Sequence, residues 1–156
     1  MGLQALIIGI IFSMSPIFEL RGGIPIIIGS GFNPVFALLV GFLANIAIIF
    51  PIWFFLDYIH VHLLKVKIYD KFSYKVLERM RAKAHHVRKS MEVYEWLALT
   101  ILVAVPLPVT GAYTATLIVW LLKLNRKKSF LAISLGVLIA ALIVTLVTLG
   151  VLNLFF

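Results

Sequence analysis

The sequence contains no cysteine and few charged residues. Without cysteine there can be no disulfide, no zinc–thiolate site, no iron–sulfur cluster and no thiol chemistry. Charged residues make up 13% of the 156 residues and hydrophobic residues 63%, whereas about a quarter of a soluble domain is charged. A soluble domain of this composition could not cover its surface with polar side chains, and a disordered chain would be far less apolar. The composition therefore predicts a single-domain, all-α integral membrane protein.

Acidic residues are the scarcer charge, with six Asp and Glu against fourteen Lys and Arg and a net charge of +8. Such an excess is compatible with nucleic-acid binding, but the basic residues are not spread evenly along the chain. Residues 65–95 hold nine Lys and Arg against four acidic residues, and a second basic cluster occupies residues 123–128. Because both clusters flank long apolar runs, they indicate the cytoplasmic face of a membrane protein. We therefore expect membrane lipids, and no nucleic acid, as partners.

Two apolar runs are long enough to cross a membrane. Residues 34–56 carry no charge, and neither do residues 129–156. The 23 residues of the first run would extend about 35 Å as a helix, which exceeds the roughly 30 Å hydrocarbon core of a bilayer. We predict transmembrane helices over residues 34–57 and 129–151.

Two further apolar stretches, residues 1–33 and 96–123, are interrupted near their middle by Pro, Gly and Ser. We name these interruptions the first break (residues 13–25) and the second break (residues 106–113). Each break leaves arms of roughly ten residues, too short to cross the membrane alone. We therefore predict that each stretch forms a re-entrant helical hairpin, which enters the membrane and returns to the same face.

Both halves of the chain share the order of hairpin, short turn and span, which indicates an internal duplication. If both stretches are hairpins, residues 65–95 and 123–128 share the cytoplasmic face, and the two halves have opposite topology. This is the inverted repeat of many secondary transporters. Apolar residues within 65–95 recur at steps of three or four, so this segment is predicted to be an amphipathic cytoplasmic helix on the membrane. A solvated linker helix is the alternative.

The first break combines two charges with glycines and a proline in an otherwise uncharged region: Glu19, Arg21, Gly22, Gly23 and Pro25. Charged side chains at membrane depth are costly and usually functional. Glu19 could carry a proton, whereas Arg21 stays charged and suits a counter-ion or an anion clamp. The glycines would let a ligand approach the backbone, and a helix that begins near residues 23–25 would direct its positive end at an anion. A static ion pair is the alternative.

The second break supplies Pro106, Pro108, Thr110, Gly111 and Tyr113. It offers hydroxyls and free carbonyls but no charge, and a plain proline kink is the alternative. Irregular backbone at membrane depth must be buried in protein or line a wet cavity. We therefore predict that the two breaks meet near the midplane of the membrane and form the site for substrate and protons.

Other polar residues are less informative. Asn45 lies four residues after Gly41, a spacing that favours helix packing over ligand contact. The four histidines occur as two close pairs whose spacing matches no metal-ligand pattern. The sequence contains no nucleophile elbow, P-loop or dinucleotide motif, so we expect neither an enzyme nor a bound cofactor.

Residues 15–25 and 106–113 resemble the small multi-drug export family of prokaryotic membrane proteins. The resemblance implies a multi-pass protein of the prokaryotic plasma membrane that exports small molecules. The paired hairpins are also similar to the DedA/VTT superfamily, which implies ion-coupled membrane homeostasis and translocation of lipids such as polyprenyl phosphate. The second half of this chain lacks the arginines expected in that superfamily.

Three functions follow as hypotheses. The first is a proton-coupled secondary transporter, in which Glu19 exchanges a proton while a small-molecule substrate lies between the hairpins. The second is a lipid translocase or scramblase, in which Arg21 and the basic helix engage phosphate headgroups. The third is a non-transporting membrane scaffold whose amphipathic helix docks a partner. The small size of the chain is compatible with a homodimer.

Overall fold

The computed structural model describes residues 2–60, 96–106 and 111–155, and the regular elements within these ranges are all helices, which confirms the all-α prediction. The predicted amphipathic helix over 65–95, together with Pro108 and Thr110, lies outside the described residues. The helices are α1 (Gly2–Ser13), α2 (Glu19–Gly29), α3 (Pro34–Ala47), α4 (Ile49–Phe54) with a following π-helical turn (Phe55–His60), α5 (residues 96–104), α6 (Ala112–Leu121) and α7 (Arg126–Phe155).

Two of the helical segments are long and apolar enough to cross a membrane. Pro34–Tyr58 spans 25 residues and Arg126–Leu154 spans 29, which correspond to about 38 and 44 Å of helix. Helices α1, α2 and α6 contain 12, 11 and 10 residues, or about 15 to 18 Å each. The predicted contrast between two spans and short arms is therefore confirmed, while the re-entry of the short arms into a membrane stays a prediction.

Asparagine side chains fix the start of both long helices. Asn33 accepts a hydrogen bond from the Val35 backbone N–H at 2.8 Å, and Pro34 occupies the first helical position. Asn125 does the same for α7, accepting from the Lys127 backbone N–H at 3.1 Å. These caps satisfy backbone donors that the first helical turn leaves without partners. Because of the second cap, α7 begins at Arg126, slightly before the predicted span.

Helices α1 and α2 form a tight antiparallel hairpin. A methyl group added at Gly23 would overlap Ser13 Oγ and the carbonyl oxygen of Gly9, so the two backbones are in close contact. At the other end of the hairpin, Gly2 lies beside the ring of Phe32. The arms therefore open towards the beginning of α3, and the first break lies at the opposite end.

The second hairpin packs against α7. The Thr100 hydroxyl donates a hydrogen bond to the Ala132 carbonyl at 3.1 Å, and a methyl group added at Gly136 would come within 2.7 Å of the Thr100 carbonyl oxygen. Helix α5 therefore runs parallel to α7 and begins near the end of the bundle where α7 begins. Helix α6 returns to that same end, where residues 122–125 join it to α7.

The two hairpins consequently open at opposite ends of the bundle. The first hairpin opens near residue 32, where the first span begins. Asp57 lies close to the other end of that span and binds Arg126, beside the opening of the second hairpin. This order is the one that an inverted repeat requires. The packing is not equivalent in the two halves, however, because Gly41 lies against α2, the second arm of its hairpin, and Gly136 lies against α5, the first arm. The duplication itself stays a prediction.

The core and the outer surface are both apolar. In water such a large exposed apolar surface would be unfavourable, whereas lipid tails would cover it without penalty. The most exposed large apolar side chains include Leu3, Ile17, Val35, Leu131, Leu146 and Leu154. The fully buried ones include Ile24, Ile27, Ile49, Leu99, Ile118, Ile133 and Val137.

Candidate functional site

The two breaks are in direct contact although they are far apart in the sequence. The Tyr113 hydroxyl, in the second break, donates a hydrogen bond to the carbonyl oxygen of Met14, in the first. A methyl group added at Gly111 would overlap the Glu19 carboxyl group, so this glycine is needed for the close approach. The two breaks therefore touch in the fold, while their re-entry into a membrane and their depth in it stay predictions.

Glu19 is the central side chain of this contact, which we call the tip cluster (Met14, Glu19, Arg21, Gly111 and Tyr113). Its relative exposure is only 8%, and its carboxyl group accepts a hydrogen bond from the Tyr113 backbone N–H. Gly111 has no side chain to cap helix α6, so Glu19 caps that helix from the opposite hairpin. An acidic group at this position also interacts favourably with the positive end of the helix dipole.

The backbone of Glu19 is unusual. Its φ angle is +50°, in the left-handed region that residues other than glycine, asparagine and aspartate rarely adopt. Such a conformation costs of the order of 1–3 kcal/mol and persists only where the surrounding packing enforces it. Here it falls on the residue whose carboxyl group touches the other hairpin.

Arg21 lies two residues further along α2, with a guanidinium nitrogen 3.9 Å from a Glu19 carboxyl oxygen. This is an ion-pair distance but is too long for a direct hydrogen bond. The Arg21 side chain is 22% exposed and that of Glu19 11%, so the positive charge lies nearer to the surface of the cluster. The two groups attract each other through space rather than locking together as a bidentate pair.

The other residues of the first break have packing roles. Helix α2 begins at Glu19, so the prediction that a helix starts near residues 23–25 is wrong. The chain already turns before that point, since the Glu19 backbone N–H donates to the Ser15 carbonyl. Pro25 consequently lies inside α2. A methyl group added at Gly22 would come within 2.8 Å of Phe18 Cβ, and Gly23 packs directly on α1, so both glycines bring helix surfaces together.

Ser13 and Asn45 are buried beside the cluster. The Asn45 side-chain amide donates to the Ser13 carbonyl at 3.0 Å, which satisfies a carbonyl that the end of α1 leaves without an intrahelical partner. This confirms the prediction that Asn45 serves helix packing. Ser13 Oγ and Asn45 Oδ1 have no hydrogen-bond partner among the described residues. The sequence did not assign Ser13 a role, and its place at the start of the break was the only available signal.

A second polar cluster, not predicted from the sequence, lies at the end of the bundle where α7 begins. Both Asp57 carboxyl oxygens accept hydrogen bonds from the Arg126 guanidinium at 2.7 Å, and one also accepts from the Trp120 indole N–H at 3.0 Å. The Arg126 guanidinium lies 5.5 Å from the centre of the Trp53 ring. These contacts join the first span to the second half of the chain.

Pro106 follows α5 and is partly buried, while Pro108 and Thr110 lie outside the described residues. Among the described residues, no group of three or more acidic or histidine side chains could hold a metal ion.

Comparison with known proteins gives one match. The model of the family described as "Putative small multi-drug export protein" matches residues 19–143, a range that includes the second break, residues 19–25 of the first break and the Asp57–Arg126 pair. No curated protein matches the chain, and no solved structure matches it. The family match covers well over half of the chain, and its description indicates a membrane export protein rather than an enzyme. The chain belongs to the small multi-drug export family.

Proposed function

We propose that this chain is a proton-coupled secondary transporter that exports small molecules across the prokaryotic plasma membrane. The observation that carries the proposal is the position of Glu19, a nearly buried carboxyl group held between the tips of two hairpins. The family description supports export. The two long apolar helices support a multi-pass membrane protein.

Glu19 is suited to couple a proton to a change of shape because it touches both hairpins. Its carboxyl group contacts Gly111 and accepts from the Tyr113 N–H, while its own backbone belongs to α2. Binding of a proton removes the attraction to Arg21 and weakens the interaction with the positive end of α6. The contact between the hairpins would then loosen, and the balance between two arrangements of the halves would shift.

Arg21 is the second functional residue of the proposal. It lies close enough to Glu19 to act as its counter-ion, and it is the more exposed of the two. When Glu19 is protonated, it no longer balances the Arg21 charge, which can then attract an anionic group of a substrate. Gly111, Tyr113 and the tip of the first hairpin would line the same site.

The contacts between the halves and the positions of the basic residues support the following topology. Residues 34–58 and 126–154 would cross the membrane, with the hairpins entering from opposite faces. The basic residues over 123–128 would lie on the cytoplasmic side. The tip cluster would then lie near the middle of the membrane, where inverted-repeat transporters place their substrates.

Transport in proteoliposomes tests the proposal. The purified chain would be reconstituted into vesicles loaded with the small anionic dye sulforhodamine B, because the Arg21 charge should attract its sulfonate group, and dye release would be measured with and without a pH gradient. We expect Glu19→Gln to abolish the dependence on the gradient, because glutamine keeps the shape and the acceptor oxygen but cannot bind a proton. Tyr113→Phe is the comparison variant: it removes the hydroxyl contact to Met14 but leaves the carboxyl group in place, so its transport should still depend on the gradient even if its rate falls.

Gradient dependence that persists unchanged in Glu19→Gln would exclude Glu19 as the proton carrier. If the parent chain moves no dye but accelerates the flipping of a fluorescent phospholipid, the lipid-translocase hypothesis replaces this one. If it does neither in a correctly folded preparation, the scaffold hypothesis is favoured.

A further inference from the structure

We propose that a groove at the basic end of the bundle binds an anionic phospholipid. The groove has a volume of about 450 Å³ and lies between the far part of the first span and the beginning of α7. No residue of the tip cluster lines it, so the proposal is independent of the transport mechanism. Its lining residues are Phe50, Trp53, Arg126, Lys127, Phe130 and Leu131.

The floor of the groove is apolar and continuous with the outer surface of the bundle. The rings of Phe50 and Phe130 lie 5.4 Å apart, and both Phe50 and Leu131 expose more than half of their surface. In a membrane this surface would face lipid tails. An acyl chain can therefore lie along the floor while the headgroup remains at the polar end of the groove.

The rim of the groove is positively charged. Residues 123–128 carry four basic side chains, and among the described residues Asp57 is the acidic group beside them, which leaves a local charge of about +3. Asp57 binds Arg126 through both carboxyl oxygens, so Arg126 mainly builds the wall against the Trp53 ring. Lys127 is exposed on the rim. Its ammonium group is the natural partner for a lipid phosphate.

The apolar floor and the basic rim together select the occupant. The acyl chains of a lipid fit the floor, and a phosphate would neutralise Lys127 and the other exposed lysines of residues 123–128. The apolar face of a second copy of this chain would leave those charges unbalanced. The groove therefore favours a phospholipid with a net negative charge.

Lipid retention measures the proposed site directly. The full chain would be placed in nanodiscs of equal phosphatidylglycerol and phosphatidylcholine, released into the gas phase, and the retained lipids counted by native mass spectrometry. We expect phosphatidylglycerol to be enriched on the parent chain. Lys127→Gln should lower that preference about fivefold, the effect of one lysine at an anionic membrane surface. Lys128→Gln is the matched control, because Lys128 is its exposed neighbour but does not line the groove.

Equal losses in Lys127→Gln and Lys128→Gln would mean diffuse surface charge and would overturn the proposal. Equal retention of both lipids by the parent chain, or a lipid-free dimer in which this groove is covered by a second copy, would overturn it as well.

Discussion

A double-mutant cycle at Glu19 and Arg21 decides whether these residues form a functional site or a structural ion pair. The two charged groups are 3.9 Å apart, and Coulomb's law at an effective dielectric constant of about 20 gives roughly 4 kcal/mol of attraction at that distance. The measurable coupling will be smaller, because Arg21 is 22% exposed and water screens part of its charge. We expect a coupling free energy of about 1–2 kcal/mol.

The single variants and the double variant then have distinct expected stabilities. Glu19→Gln and Arg21→Gln should each lower the free energy of unfolding by about 2 kcal/mol, because each removes the attraction between the two partly buried charges. The double variant should lose about 2–3 kcal/mol rather than the sum, since no unpaired charge remains. Reversible unfolding in mixed detergent micelles measures all four free energies. A coupling below about 0.5 kcal/mol would show that the two groups act independently and would refute the ion pair.

The transport rates of the same four proteins separate structure from function. If the pair is only structural, the double variant should transport nearly as well as the parent chain. If Arg21 holds an anionic group, the double variant should stay inactive although its stability is partly restored. We expect the second result. Arg21→Lys then adds a test of geometry, because lysine keeps the charge but loses the planar fork that binds an anion through two hydrogen bonds.

Two further predictions concern packing and topology. Gly23→Ala should destabilise the chain by about 1–3 kcal/mol, because its methyl group would overlap α1. In the same helix, the methyl group of Gly29→Ala would meet nothing within 4 Å, so this variant should be neutral or slightly stabilising. Thermal unfolding compares the two variants, and equal melting temperatures would contradict the close contact of α1 and α2. Because the chain has no cysteine, single introduced cysteines can report its topology in the membrane. Cysteines that replace Lys71 and Lys127 should react with a membrane-impermeant thiol reagent from the same side, and a cysteine that replaces Asn33 should react from the other side. Labelling of positions 71 and 127 from opposite sides would exclude the hairpins.

Much of the architecture could be predicted because it depends on local properties of the chain. An uncharged run of more than twenty residues is long enough to cross a bilayer, and a run of ten is not. Pro34 together with Asn33 marks the beginning of the first span from sequence alone, since the ring fixes φ and the side chain caps the helix. The two breaks were recognisable because proline, glycine and two charges interrupt an otherwise apolar sequence.

Only the tertiary structure decided which groups meet. The Asp57–Arg126 pair joins residues 69 positions apart, and the Tyr113–Met14 hydrogen bond joins residues 99 apart. No periodicity or local spacing encodes such contacts, because they depend on how whole helices pack.

The same limit explains why the roles of the glycines in the first break were misjudged. The sequence shows that these residues have no side chain, but it does not show which group packs against their Cα atoms. In the fold, α1 packs against Gly23, and only at Gly111 does a functional group, the Glu19 carboxyl, occupy the place of the missing side chain. The sequence by itself determined the helices, their lengths and the presence of a charged break, since these follow from hydrophobicity and backbone preference. Helix packing alone placed the carboxyl group of one hairpin on the first turn of the other.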